Sequence, residues 1–250
     1  MEEPNSDQEN QLSHKIAAIL DEVRISYATH NRKLKELSLL RSKSSSPSQF
    51  FSAFSKSLIP LFNYQRRLAS ADRVVSFVSS FTAARNPADA EVCDEFLDHF
   101  LHFLLVAASA ADKTVRFRAC QIVSEIILRL PDDAEVSNDL WDEVIECMKV
   151  RVRDKIHVVR TFAVRALSRF VNDSSNIDIL DLFLETLPLE QNAVSFAIES
   201  MELFSFLAFP DVCVNRAVCG YNCSPLISYT SMSLHCNIVI SSASYGYLAT

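Results

Sequence analysis

Residues 112–170 read DKTVRFRACQIVSEIILRLPDDAEVSNDLWDEVIECMKVRVRDKIHVVRTFAVRALSRF, and their internal repetition decides the fold. Val115-Arg116-x-x-Ala119 recurs as Val159-Arg160-x-x-Ala163, 44 residues further on, and an aspartate precedes each copy, Asp112 and Asp154. Around the first copy Ile122, Val123, Ile126 and Leu130 fall three and four apart; around the second, Phe162, Ala166, Leu167 and Phe170 do the same. That spacing is one face of a helix. Leu140, Val144, Ile145 and Met148 mark another helix between them. A unit of two helices repeating every 40–47 residues or so is the spacing of HEAT and armadillo solenoids. The alanine lets paired helices approach closely, and the valine belongs in the seam between repeats. The aspartate can cap a helix start by accepting from its free N–H groups. The arginine is then placed to pair with such aspartates.

Working outward, the same periodicity continues. Leu12, Ile16, Ile19, Leu20, Val23 and Tyr27 predict a first helix, and Leu34, Leu37 and Leu40 a second. The polar loop RSKSSSPSQ separates these from Phe50, Phe51, Phe54, Leu58 and Leu61, where Pro60 is expected to end or kink the helix. Leu68, Val74, Val75, Val78 and Phe81 follow, stopped by RNPAD, and then Phe96, Phe100, Phe103 and Leu104. Beyond the repeated pair, Leu180, Phe183, Leu184 and Leu187 give one more. The expected fold class is all-α, a HEAT-repeat α-solenoid over residues 12–193, preceded by a disordered, polar stretch at 1–11 and followed by an unrelated, poorly folded tail at 194–250.

Composition supports this reading. The chain has 250 residues, 49% apolar and 22% charged, so it can bury a core. Its two glycines, Gly220 and Gly246, leave the first 219 residues with none. A dinucleotide fingerprint, a P-loop and a glycine nucleophile elbow are therefore excluded. Primed hairpin turns, which need residues tolerant of positive φ, are disfavoured. Net charge is −7, unlike a simple nucleic-acid sponge. Residues 1–193 carry 51 charged side chains and residues 194–250 only Glu199, Glu202, Asp211 and Arg216. The missing third signature and the change of composition at Ala193 suggest that the tail is translated intron beginning at the Val194 codon. The acidic start MEEPNSDQEN has neither a secretory nor a transit-peptide pattern, so a cytosolic or nuclear protein with reduced thiols is expected.

Charge is segregated along the best repeat. Asp132, Asp133, Glu135, Asp139, Asp142, Glu143 and Glu146 precede Arg151, Arg153, Lys155, Arg160, Arg165 and Arg169. In a unit whose first helix is convex and second concave, acid would lie outside and base inside. Such a groove tracks phosphates by counterion release without reading bases. The candidate DNA contacts are Arg151, Arg153, Lys155, Arg165 and Arg169, with Arg66, Arg67, Lys113 and Arg118. Asp112, Val115, Arg116, Ala119, Asp154, Val159, Arg160 and Ala163 are assigned to packing. Ser46-Pro47 is a candidate proline-directed phosphosite. His99 and His102 have no third ligand, Cys93, Cys120 and Cys147 fall within helical patterns, and the tail cysteines Cys213, Cys219, Cys223 and Cys236 lack a C-x2-C pair. No enzyme, metal or cofactor is expected, nor a membrane span or small-molecule substrate.

THNRKLKELSLLRSK (29–43), FNYQRRLAS (62–70) and the stretch 116–170 closely resemble the amino-terminal HEAT region of the condensin subunit 3 family in its plant form, over residues from about 12 to 193. The resemblance implies a piece of a longer solenoid. It also implies a scaffold that binds the kleisin subunit, meets the SMC subunits through the complex and holds double-stranded DNA in mitotic chromosome condensation. The implied location is the nucleus and mitotic chromosomes, with a cytoplasmic pool. The alternatives are a generic HEAT adaptor holding an acidic peptide on its concave face, and a truncated isoform with no activity.

Overall fold

A computed structural model of the chain describes residues 3–66, 68–85, 90–131, 136–171 and 177–186, with side chains from residue 9 onward and, in the last segment, from residue 178. Among these residues there are nine α-helices and no strand: α1 Glu3–Val23, α2 His30–Lys43, α3 Pro47–Phe62, α4 Ala69–Ala83, α5 Ala90–Ala108, α6 Lys113–Arg129, α7 Asn138–Val152, α8 His157–Leu167 and α9 Ile177–Thr186. The backbone is helical from Glu3, so residues 3–11, expected to be disordered, form the first turns of α1. Tyr27, expected on the apolar face of α1, lies beyond its end in a short 3-10 turn and is 58% exposed. Pro60 falls inside α3, which stops two residues later at Phe62.

The chain divides into two compact units, Met1–Arg169 and Phe170–Thr250. In the first, helices alternate between two layers. Helix α1 packs on α3 and α3 on α5, which in turn meets α7; α2, α4, α6 and α8 follow one another in the second layer. Within repeats, α5 packs on α6 and α7 on α8. Neighbours in a layer run parallel. Arg116 at the start of α6 reaches Asp154 just before α8, and Arg165 near the end of α8 reaches Glu125 late in α6. Likewise Ser57 of α3 donates to the Ser13 carbonyl of α1 at 3.0 Å. A parallel stack of helical pairs is the α-solenoid the 44-residue period predicts. In the second unit, α9 buries Ile179, Leu180, Leu182 and Phe183; Leu187 and the tail 194–250 lie outside the described residues.

Local sequence explains the helix ends. Ser46 Oγ accepts from Gln49 N at 3.1 Å with Pro47 in the first turn of α3, and Ser137 Oγ accepts from Leu140 N. The absence of glycine shows at the other ends: the C-cap residues Ser44, Ala84 and Leu130 leave their helices in extended conformation, and Asn63 and Ser168 stay right-handed. None needs the left-handed backbone that glycine usually supplies.

The core is aromatic toward the amino terminus and aliphatic beyond it. Phe50, Phe54, Phe81, Phe96 and Phe100 are buried, with ring centroids 5.2 Å apart for Phe54–Phe96 and 5.3 Å for Phe81–Phe96. The Arg41 guanidinium lies 4.9 Å from the Phe81 ring centroid and donates to Cys93 Sγ at 2.9 Å. Ala119 and Ala163 are both fully buried, as close helix approach requires. Val159 is buried as well, whereas Val115 is only half-buried. Cys93 and Cys120 are buried and Cys147 half-buried, all three as free thiols. No helix among the described residues is long and apolar enough to cross a membrane.

Candidate nucleic-acid interface

The two aspartates that precede the repeated signature have different partners. Asp112 is the N-cap of α6: its Oδ1 accepts from Thr114 N at 2.7 Å and Val115 N at 3.1 Å, and these N–H groups hold its carboxyl below the ordinary range. Asp154 stands two residues further ahead of its helix signature, and its side chain is 3% exposed. It accepts from Arg116 Nε at 2.8 Å and Nη2 at 3.2 Å, from Arg151 Nη1 at 3.1 Å and from Ile156 N at 2.9 Å. Burial works to raise this carboxyl; Arg116, the Ile156 N–H and Arg151 together outweigh it, and its pKa lies below the ordinary value. Arg116 therefore clamps the following repeat. Its Nη1 also donates to the carbonyls of Ala110 and Ala111 in its own turn, as Arg160 Nη1 does to the Asp154 carbonyl.

The candidate DNA contacts differ in how far their side chains are buried. Arg118 is fully buried: Nη1 donates to Gln121 Oε1 at 2.7 Å and Asp72 Oδ1 at 3.2 Å, and Nη2 to the Gln65 carbonyl at 2.8 Å, with Phe117 under the guanidinium. Burial pulls its pKa down against the pull of Asp72. Its place as a phosphate contact is corrected, since a side chain with no accessible surface cannot meet a duplex. Arg169 Nη1 donates to the carbonyls of Ile127 and Leu130, and Nη2 to Pro131, so it closes the carboxyl end of α6 where a glycine cap is missing. Arg165 pairs with Glu125 at 2.7 Å, a carboxylate that Arg129 also engages. Asp139, Asp142, Glu143 and Glu146 lie exposed on α7, whereas Arg165 late in α8 and Arg169 just beyond its end are tied to the carboxyl half of α6.

The exposed cations among these candidates lie at the turns leading into α4, α6 and α8. Arg66, Lys113, Arg153 and Lys155 are exposed, one or two per repeat, and Arg151 beside them is half-buried against Asp154. Arg67 lies outside the described residues, as do Asp132, Asp133 and Glu135. Bonds between elements show that the three turns are neighbours. Arg118 holds the Gln65 carbonyl to the start of α6, Arg116 ties that start to Asp154, and Arg66 Nη1 lies 3.0 Å from His157 Nε2. Sequence spacing alone pointed at α8, because no helical pattern reveals that Glu125 and the end of α6 face it. The one available signal was the position of Arg66, Lys113 and Arg153 immediately beside predicted turns.

Other candidates fall out as structural or untouched. Among the described residues no cluster of three His, Cys, Asp or Glu side chains is placed to hold a metal. His102 Nε2 is 3.6 Å from Glu143 Oε2, and His99 packs on Phe51. Ser46 is exposed, with its hydroxyl engaged as a helix cap.

A Xenopus laevis protein named condensin complex subunit 3 is 31% identical over 160 residues, which is 60% of this chain and 15% of that protein. The Schizosaccharomyces pombe protein of the same name is 28% identical over 158 residues, 63% of this chain and 17% of its own length. By sequence the chain is similar to condensin complex subunit 3. The fold agrees: the crystal structure of the S. pombe condensin Cnd3–Cnd2 subcomplex matches with a TM-score of 0.62 at 25% identity, over 74% of this chain and 23% of that one. No family model matches the sequence. The match to condensin subunit 3 therefore spans less than a fifth of the length of these two curated relatives.

Proposed function

We propose that the chain is a non-enzymatic HEAT scaffold of the condensin type, which binds the kleisin subunit and double-stranded DNA in mitotic chromosome condensation. It would meet the SMC subunits through the complex and reside in the nucleus and on mitotic chromosomes, with a cytoplasmic pool. The observation that carries the DNA reading is the row of exposed cations Arg66, Lys113, Arg153 and Lys155 along adjoining turns. Packed helices stand about 8–10 Å apart, so the row offers a charge roughly every three phosphates of a strand whose phosphates rise about 3.4 Å each. Lysine and arginine on a ridge neutralise phosphates and carry no base code, which suits a subunit that holds duplex of any sequence. The S. pombe relative was solved together with a second condensin subunit, Cnd2, which supports a subunit partner for this chain.

Duplex binding of random sequence, followed by anisotropy across a salt series, tests the reading. Each neutralised phosphate contributes about 0.9 to the slope of log affinity against log salt. Reversing Arg66, Lys113, Arg153 and Lys155 to glutamate should therefore flatten the slope by about 3 to 4. Reversing Arg165 should change it little. An unchanged slope in the fourfold variant overturns the DNA reading. Stoichiometric co-elution with the kleisin subunit on size exclusion tests the partner, and separate peaks from a folded chain would remove it.

A further inference from the structure

Two parallel helices of the first layer, α3 and α5, leave an apolar seam open to solvent. Helical spacing puts Phe51 and Ile59 on one stripe of α3, and His99, Phe103 and Val106 on one stripe of α5. Aromatic rings mark where the stripes meet. Phe51 stands 5.5 Å from His99 and 6.3 Å from Phe103, and the Phe62 ring lies 5.9 Å from that of Phe103. Phe51 and Phe103 are half-buried, while Ile59 is 56% exposed and Val106 76%. Single exposed aliphatics are ordinary on a protein surface, but here aromatic and aliphatic side chains of adjoining helices run together. From Phe51 to Ile59 the strip follows the α3 axis for about 12 Å, roughly two turns.

Charge beside the strip decides what fits it. Helix α5 carries Glu91, Asp94, Glu95 and Asp98 and no lysine or arginine. Glu95 and Glu91 are exposed one and two turns ahead of His99. On α7, which packs against α5, Asp139, Asp142, Glu143 and Glu146 are exposed as well. Lys56, the one base within α3, pairs with Glu9 of α1. An apolar strip with carboxylates along one side suits a ligand with aliphatic residues on one face and basic residues beside them. The same carboxylates repel the phosphates of a duplex. Residues 194–250 hold a single base, Arg216, and so lack the complementary charge. We infer that the α3–α5 seam is a docking site for a basic amphipathic helix of a partner protein, its aliphatic side chains resting on Phe51, Ile59, Phe103 and Val106 and its lysines or arginines turned toward Glu91 and Glu95. The seam lies on the helices of the first layer, not at the cationic turns, so it does not depend on duplex binding.

The probe is a fluorescein-labelled peptide of about 18 residues built from Leu, Ala and Lys, with leucines three and four apart on one face. Its anisotropy is followed against the whole 250-residue chain. Joint replacement Ile59→Gln and Val106→Gln, both at exposed positions, should weaken binding about tenfold. Joint Glu91→Gln and Glu95→Gln should weaken it about threefold and flatten its salt dependence. Ile25→Gln, equally exposed but on the turn after α1, should leave affinity within about twofold. Circular dichroism on each variant establishes that helicity is kept. The inference is overturned by a probe with Glu in place of every Lys that binds as tightly. It is also overturned if the Ile59 and Val106 double variant binds like the parent, or if Ile25→Gln weakens binding as much. Light scattering separates the remaining occupant: a parent dimer that the double variant turns into a monomer would assign the strip to a second copy of this chain and overturn the partner helix, whereas monomers in both cases support it. Failure of duplex binding alone would remove the DNA reading and leave this site standing.

Discussion

Replacing Asp154 with alanine is the sharpest test of how the repeats are held together. The substitution removes both acceptors of the Arg116 clamp, the partner of Arg151 and the acceptor for Ile156 N. Arg116 is 14% exposed in its side chain and Asp154 3%, so solvent screens this pair little. Breaking one side of a buried ion pair costs about 3–5 kcal/mol, much of it from the charge left without a partner. For a domain of this size, 1 kcal/mol moves Tm by about 2–4 °C, which places the expected loss near 10 °C. Asp112→Ala, which removes only an exposed helix cap, should lower Tm much less although an aspartate precedes each copy of the signature. Thermal unfolding at pH 7 measures both. The pH dependence carries a sign as well. Asp154 has a folded pKa below its unfolded one, so its stabilisation is complete above the unfolded value of about 3.9 and disappears as pH falls through the folded value. The gap between parent and Asp154→Ala should therefore close in acid. An Asp154→Ala variant that melts within about 2 °C of the parent at pH 7 would refute the clamp as the main tie between these repeats.

Three further outcomes follow from the same geometry. Arg169→Ala should cost about 1–3 kcal/mol in denaturant unfolding through the carbonyls of Ile127, Leu130 and Pro131, while leaving the salt slope of duplex binding unchanged. Phe54→Ala, in the centre of the aromatic cluster and fully buried, should cost about 3–5 kcal/mol and shift the midpoint without changing helicity at low denaturant. Burial raises the Cys120 thiol well above its ordinary value, so alkylation at pH 8 should spare Cys120 in the folded chain and label it only after unfolding.

Periodicity made the helices legible. The three-and-four spacing of apolar residues is a property of one element, and the structure places a helix at each of the nine patterns read from it. The 44-residue recurrence of Val-Arg-x-x-Ala gave the stacking, because identical units must bury equivalent faces against their neighbours. Where the first helix begins was less legible, since the polar stretch before Leu12 offers no apolar stripe.

The candidate site followed a different rule. Charge counts marked the region 151–169 as basic, yet sequence cannot state which carboxylate or carbonyl each arginine meets. Arg118 looks like its neighbour Lys113 in the sequence; its position on the α6 face toward Asp72 and Gln65 makes it a core residue. Arg169 is bound by carbonyls at and just beyond the end of α6 that only the parallel stacking brings near. Asp112 and Asp154 share a motif, and a two-residue difference in spacing lets one cap its own helix while the other binds the preceding repeat. Thus the sequence by itself determined the helical class, the pairing and the repeat, which depend on contacts local in the chain. Which cations remain open to a ligand was decided only by tertiary structure, because long side chains choose partners some 40 residues away in the adjoining repeat.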